Sequence, residues 1–267
     1  MKGDKACIKN NLNAGAYVLF IELGGSGKRI SEISEPLAEG KFSILYISTY
    51  QTDFVLISEP KLYQVMKALR QHGFDIESDD DSVDNDIEQD TIEEGDDPLS
   101  QNTQPLSPTV DPAQFLLDTS VLVNELQCVG LNKHYRSNWV QTVLKILCYP
   151  ELVQSDCEDD YKRFCSFVAT NEDISLIADT QIVATFEESS LMLEQDASAQ
   201  RVIQVHFSGS NIERCGIVRS ISKPLSMEAN INMLYLSTFM TANIIVSADD
   251  LERAVHILSP QKNLLTC

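Results

Sequence analysis

Ser48-Thr49-Tyr50-Gln51-Thr52-Asp53-Phe54 is a polar, turn-forming stretch held between two apolar runs, residues 42–47 and 55–57. Ser237-Thr238-Phe239-Met240-Thr241-Ala242-Asn243 repeats it 189 positions later, between the apolar runs 231–236 and 244–246. The repeat extends outward in register. Leu45-Tyr46-Ile47-Ser48-Thr49 matches Leu234-Tyr235-Leu236-Ser237-Thr238, Pro36-Leu37 matches Pro224-Leu225, and Leu62 and Leu69 match Leu251 and Leu258. Two distant copies of one strand–bend–strand unit with the same flanking helix marks indicate a repeated module.

Around the first copy, residues 16–23 form an apolar run of β-formers, broken by Gly24-Gly25-Ser26-Gly27. Helical spacing follows through Ile30, Ile33 and Leu37, then two strands (42–50 and 53–58). Leu62, Val65, Met66 and Leu69 fall at i, i+3, i+4 and i+7, which predicts an amphipathic helix stopped at Gly73, with residues 74–76 as a last strand. The order β-α-β-β-α-β is the ferredoxin-like plan, an α+β module with an antiparallel sheet. Around the second copy, 201–207 reads as a strand, 215–225 as a helix, 231–238 and 242–247 as strands, and 249–258 as a helix capped by Asp249 or Asp250. The middle is weaker. A strand over 121–129, a helix through Trp139, Val140, Val143, Leu144 and Leu147, a hairpin of 164–169 and 174–178, and a helix starting in 180–186 give the same order. The expected division is therefore modules at 14–76, 113–195 and 196–262, with a linker at 77–112.

The net charge of −20 is concentrated: residues 75–97 hold thirteen acids and no base, leaving 27 acids against 20 bases elsewhere. An acidic block rich in polar residues and followed by Pro105, Pro108 and Pro112 cannot bury enough apolar surface to offset ordering, so 77–112 reads as a disordered linker. The acidity argues against nucleic acid and anionic membranes as partners. The seven cysteines are scattered without a Cys-x-x-Cys pair and the four histidines lie far apart, so neither a disulfide framework nor a zinc site is implied. No apolar run reaches the roughly 18–20 residues of a membrane span, and residues 1–13 lack the apolar core of a leader. A cytosolic protein with reduced thiols is expected.

Gly24–Lys28 follows a strand, but Glu22 and Arg29 stand where a phosphate loop needs Gly and Ser or Thr, so that reading fails. No catalytic residues are assigned, and no metal. What remains is binding. The loop after the first strand of such a module delivers unpaired N–H groups at a helix start, a setting suited to a carboxylate.

Pro36-Leu37-Ala38-Glu39 with Ser48–Phe54 resembles the second ACT module of the CASTOR family, the cytosolic arginine sensors of the TOR pathway. Cys215-Gly216-Ile217-Val218, Pro224-Leu225 and Ser237-Thr238-Phe239 resemble its fourth, so the chain resembles the second to fourth modules. The resemblance implies a non-enzymatic amino-acid sensor, with no cofactor beyond an amino-acid ligand, arginine in the family, held between the first and last modules here. It implies ligand contacts from Cys215, Gly216, Ile217, Val218, Thr238 and Phe239, and a surface at Tyr50, Gln51 and Asp53 that binds a GATOR-like complex upstream of TOR. It leaves a homodimer open. Position 242 is alanine where the family carries the acid that meets the guanidinium. Arg214 stands where an acid precedes the cysteine, with Glu213 beside it. Glu32, next to Ile33, aligns with a helix-start serine and is the expected replacement counter-charge. Two alternatives stand beside the sensor: a ligand-blind adaptor that keeps only the partner surface, and a regulatory ACT protein of amino-acid metabolism.

Overall fold

The structure is a computed structural model that describes residues 5–9, 16–21, 27–78, 118–149, 163–170, 173–193, 198–207 and 214–259. The first module runs β1 (Lys5–Lys9), β2 (Ala16–Ile21), α1 (Gly27–Glu39), β3 (Ile44–Ser48), β4 (Asp53–Ser58), α2 (Leu62–Gln71) and β5 (Asp75–Ser78). Its helices bury the stripes that the periodicity marks: Ile30, Ile33 and Leu37 on α1, and Leu62, Val65, Met66 and Leu69 on α2. Gly73 ends α2 at φ 85°, a left-handed conformation that lets Phe74 N–H close back on the Leu69 carbonyl.

The middle module runs β6 (Asp118–Val121), β7 (Leu126–Leu131), α3 (Arg136–Cys148), β8 (Cys165–Ala169), β9 (Ile174–Asp179), α4 (Thr180–Val183) and β10 (Leu191–Met192). The single strand expected over 121–129 is two, separated at 122–125, where Leu122 and Asn124 turn inward. Helix α3 has apolar residues on two faces: Trp139, Val143 and Ile146 are buried, whereas Val140, Leu144 and Leu147 are exposed. The last module runs β11 (Gln200–His206), α5 (Ile217–Ser222), β12 (Met233–Ser237), β13 (Thr241–Ser247) and α6 (Leu251–Leu258). Helix α5 widens into a π-type turn over Lys223–Glu228, where Pro224 lacks the N–H that an α-helix would use. The cap ahead of α6 is Ser247, whose Oγ accepts the Asp250 N–H, not Asp249 or Asp250; Asp250 instead pairs with Arg253 at 2.7 Å.

The strands form one path, β5-β1-β2-β4-β3-β12-β13-β11-β7-β9-β8, with β10 on β7 and β6 on β11. Every pairing is antiparallel except β1 with β5. The first and last modules meet edge to edge at β3 and β12, through Ile47 opposite Leu236. On the helical face of their joined sheet, Tyr46, Val55, Tyr235 and Ile244 share a core with α1, α2, α5 and α6. The other face, through Val202, Leu236 and Ile245, packs on Leu126, Phe164 and Ile177 of the middle module. The middle module's far face is covered by α3 and α4. The molecule is thus layered helix–sheet–sheet–helix, with the middle module applied to the back of a two-module sheet.

One turn is used three times. Thr49, Thr170 and Thr238 each donate their N–H to the carbonyl three residues on (Thr52, Asp173 and Thr241), and each hydroxyl accepts that residue's N–H. The threonine closes a hairpin by supplying both partners locally. Thr49 is buried and Thr238 exposed. Chemical denaturation is expected to show Thr49→Ala costing about 1–3 kcal/mol, from orphaned buried groups, and Thr238→Ala under about 1 kcal/mol.

Candidate functional site

The repeat makes a pseudo-twofold seam. Helices α1 and α5 pack antiparallel, with Ser34 Oγ 3.4 Å from Ser222 Oγ, both buried. Beneath them Tyr46 N–H donates to Ser237 Oγ and Tyr235 N–H to Ser48 Oγ, each at 3.0 Å. The two tyrosine rings meet edge to face at 6.1 Å. Each strand-end serine of the motif thus bonds the other module's backbone, which is why Ser48 and Ser237 recur at matched positions. Glu35 crosses the seam above: its Oε1 accepts from Arg219 at 2.7 Å and Lys223 at 2.9 Å. Those two hydrogen bonds, the Arg219 one foremost, hold its carboxyl below the usual range. A depressed acid stabilises the fold above its unfolded pKa and loses that contribution as pH falls through the folded one. All three side chains are about a third exposed. Glu35→Gln should therefore cost no more than about 1 kcal/mol at neutral pH, and thermal melts should show the difference vanish in acid.

At each end of the seam a helix start faces the other module. At one end Gly27 N–H donates to Asn232 Oδ1 at 2.7 Å, and the same oxygen accepts from Met233 N–H at 3.1 Å. A side chain of the last module therefore occupies the donor at the start of α1. At the other end Cys215 forms a backbone bridge with Ser43, and Gly216 precedes α5 at φ 80° with no side-chain cap. Gly216 lies against Ala38, 3.8 Å from where a Cβ would stand. Adding the repeat's offset of 189 to Ser43 gives Asn232, so the two ends are equivalent positions carrying different side chains.

The structure gathers Cys215, Gly216, Ile217 and Val218 at this second end, with Ile217 and Val218 buried. Thr238 and Phe239 sit in the β12–β13 turn, and both are exposed; Phe239 is 59% accessible. Arg214 is half-buried beside Cys215, and Glu213 lies outside the described residues. Glu32 and Ile33 are elsewhere. Ile33 is wholly buried in the core, and Glu32 pairs with Arg29 at 3.4 Å and Lys28 at 4.0 Å. Glu32 opens on a groove with Glu35, His72 and Phe74 on the outer side of α1. At the other end of α1, Ser43 meets Cys215 and Ala38 meets Gly216. The bridging position was legible in the repeat offset, which pairs Ser43 with Asn232 just ahead of each second strand.

The surface expected at Tyr50, Gln51 and Asp53 divides. Gln51 is exposed and Tyr50 half-buried, its N–H donated to Ser175 Oγ at 2.9 Å and its ring against Gly130. Asp53 is only 2% accessible, and its Oδ2 accepts from Tyr46 Oη at 2.8 Å. Burial raises its carboxyl to about 6. That placement corrects the expectation of a surface acid, since Asp53 points under the sheet because it follows the inward alternation of β4. Among the described residues there is no group of His, Cys, Asp and Glu able to hold a metal, and no helix long and apolar enough to cross a membrane.

The ACT-domain family matches residues 17–71 and 197–260, the first and last modules. The cytosolic arginine sensor for mTORC1 subunit 1 is 27% identical over 243 residues in Pongo abelii and in Homo sapiens, covering 89% of this chain and 70% of each relative. Among solved structures, an aspartate kinase from Synechocystis is 13% identical, covering 93% of this chain and 41% of that one, with a TM-score of 0.38. The resemblance read from two short motifs therefore extends along most of the chain.

Proposed function

We propose that this tandem ACT-domain chain, similar along most of its length to the cytosolic arginine sensors, is a non-enzymatic amino-acid-sensing regulator acting in the cytosol on a complex of the TOR pathway. The observation that carries the reading is the seam: two modules joined edge to edge, with the helix start at Cys215–Val218 uncapped and facing Ser43 of the other module. A ligand's carboxylate suits the N–H groups there, and its arrival between two modules gives it a way to favour one arrangement of them. Thr238 and Phe239, in the adjoining turn, would close over it, with Arg214 and Glu213 at the rim. Arginine is the ligand named for the relatives; Ala242 in this chain offers a guanidinium no carboxylate.

Tyr50 and Gln51 form the face this reading assigns to a GATOR-like partner, with Asp53 holding the turn from inside. A thermal-shift screen of the purified chain against the twenty amino acids tests the sensor. A shift with at least one, lost in Gly216→Val, is expected; no shift at millimolar concentration contradicts it. A ligand-blind adaptor is the second reading, favoured by the one observation of Ala242. It predicts partner capture that no amino acid alters. Gly130 supports a separate test of the partner face. A Cβ there would stand 3.0 Å from Tyr50 Cδ1, so Gly130→Val should displace the Tyr50 ring and weaken capture of a partner in pull-downs at least tenfold, with Gln51→Ala weakening it less.

A further inference from the structure

All three modules contribute to one cavity of about 210 Å³, and none of Cys215–Val218 lines it. Register builds it. The Tyr235 N–H on Ser48 Oγ sets Thr49 and Tyr50 beside the start of β12. Leu234 opposite Ile245 and Gln200 opposite Ser247 form the floor. Gln200 is also opposite Leu126, which carries the floor across to Gln127 and Cys128 of the middle module. Tyr50 is the wall on the first module's side, anchored by its N–H on Ser175 Oγ and its ring against Gly130. The space suits several waters or one small organic molecule.

Its chemistry is lopsided. Leu234 and Ile245 belong to the apolar layer between the two-module sheet and the middle module, so part of the floor is greasy. Among the described residues that line the cavity, Asp250 alone is charged, and none is Lys, Arg or His. Its Oδ1 pairs with Arg253 at 2.7 Å, in a largely exposed i,i+3 pair of little worth. Its Oδ2 accepts from Ser247 Oγ at 3.3 Å, and both oxygens keep a lone pair for a further donor. Gln200, across the ladder from Ser247, has a buried carboxamide oxygen with no hydrogen-bond partner. A buried acceptor left unpaired is costly, and an N–H that reaches it removes the cost. Ser247 thus joins two acceptors that want donors.

We propose that this cavity binds a small primary amine, its ammonium between Asp250 and Gln200 and its short apolar body on Leu234 and Ile245. A carboxylate finds no base there and repels Asp250, so anions are turned away, and amino acids with them. A chain of net charge −20 draws cations toward such a site. The site takes a different ligand at a different place from the sensor reading above and does not rest on it. On that reading it adds a second input, because Tyr50 both walls the cavity and borders the face assigned to a partner.

NMR titration of the purified chain with n-butylammonium, 1-butanol and butyrate tests it, since the three probes share one apolar body and differ in charge. The ammonium should shift the amides of Gln127, Cys128, Gln200 and Ser247 saturably, the alcohol should bind about tenfold more weakly, and butyrate should not bind. Asp250→Asn should weaken the ammonium by about tenfold or more, and Gln200→Leu by about three- to tenfold. Asp250→Asn keeps the Ser247 cap, which uses the Asp250 N–H. The wild-type series decides by itself if a variant fails to fold. A cavity that holds solvent only, equal affinity for the three probes, or an affinity indifferent to Asp250→Asn overturns the inference. Failure to bind any amino acid would strike the sensor reading and leave this result standing.

Discussion

Asp53→Asn is expected to gain stability on the wild type as pH rises from about 4, reaching about 3 kcal/mol above pH 6. The carboxyl is 2% accessible and its folded pKa is raised to about 6 by burial, against an ordinary 3.8. An acid with a raised folded pKa binds its proton more tightly when folded, so wild-type stability falls between those two values and levels off above the higher one. Asparagine presents an oxygen to the Tyr46 hydroxyl without a charge to desolvate, so its curve lacks that fall. Urea titrations of both proteins from pH 4 to 8 measure the difference directly. A gap that does not widen over this window would mean that Asp53 is ionised at little cost.

Ser222→Leu should be the most damaging single substitution at the seam. Ser222 is 0% accessible and its Oγ lies 3.4 Å from Ser34 Oγ, so α1 and α5 approach closely there. Leucine would force the helices apart at a cost of about 1–3 kcal/mol, or more if the β3–β12 junction also yields. Because that junction rests on Ile47 opposite Leu236 and the paired serine bonds, the expected outcome includes loss of amino-acid binding at conditions where the variant remains folded by circular dichroism. Ser222→Ala fits the same space and should leave binding intact.

Much of this architecture is legible in the sequence, for identifiable reasons. Helical periodicity at Leu62, Val65, Met66 and Leu69 and the glycine stop at Gly73 are local signals, and local forces place them as read. The middle hairpin was legible from its turn, and its threonine, Thr170, is the same device as Thr49 and Thr238. Strand β1 was not, because Lys5–Lys9 is paired by neighbours on both sides rather than by an apolar pattern of its own. The break at 122–125 falls where Asn124 and Glu125 interrupt the apolar residues of 121–129, a local signal that a single strand over that span passes over.

At the site, Cys215–Val218 was recognisable as a motif, but what faces it is a tertiary matter. Glu32 was chosen by gapless alignment and in the fold points to the outer groove, whereas Ser43 forms the bridge. Asp53 was read as part of a partner surface from the family resemblance of Tyr50, Gln51 and Asp53. Strand alternation turns it inward, where it serves Tyr46. Its counterpart in the last module is Ala242, an asymmetry that only the paired modules reveal.

On the proposed function, an amino acid held at the seam of the first and last modules controls a partner bound at Tyr50 and Gln51. The most direct measurement immobilises the purified chain, captures TOR-pathway regulatory subunits from cell extract, and adds each amino acid in turn at millimolar concentration. At least one amino acid should change the amount captured several-fold, and Ser222→Leu should capture the partner but no longer respond. Capture that is the same with every amino acid would contradict it.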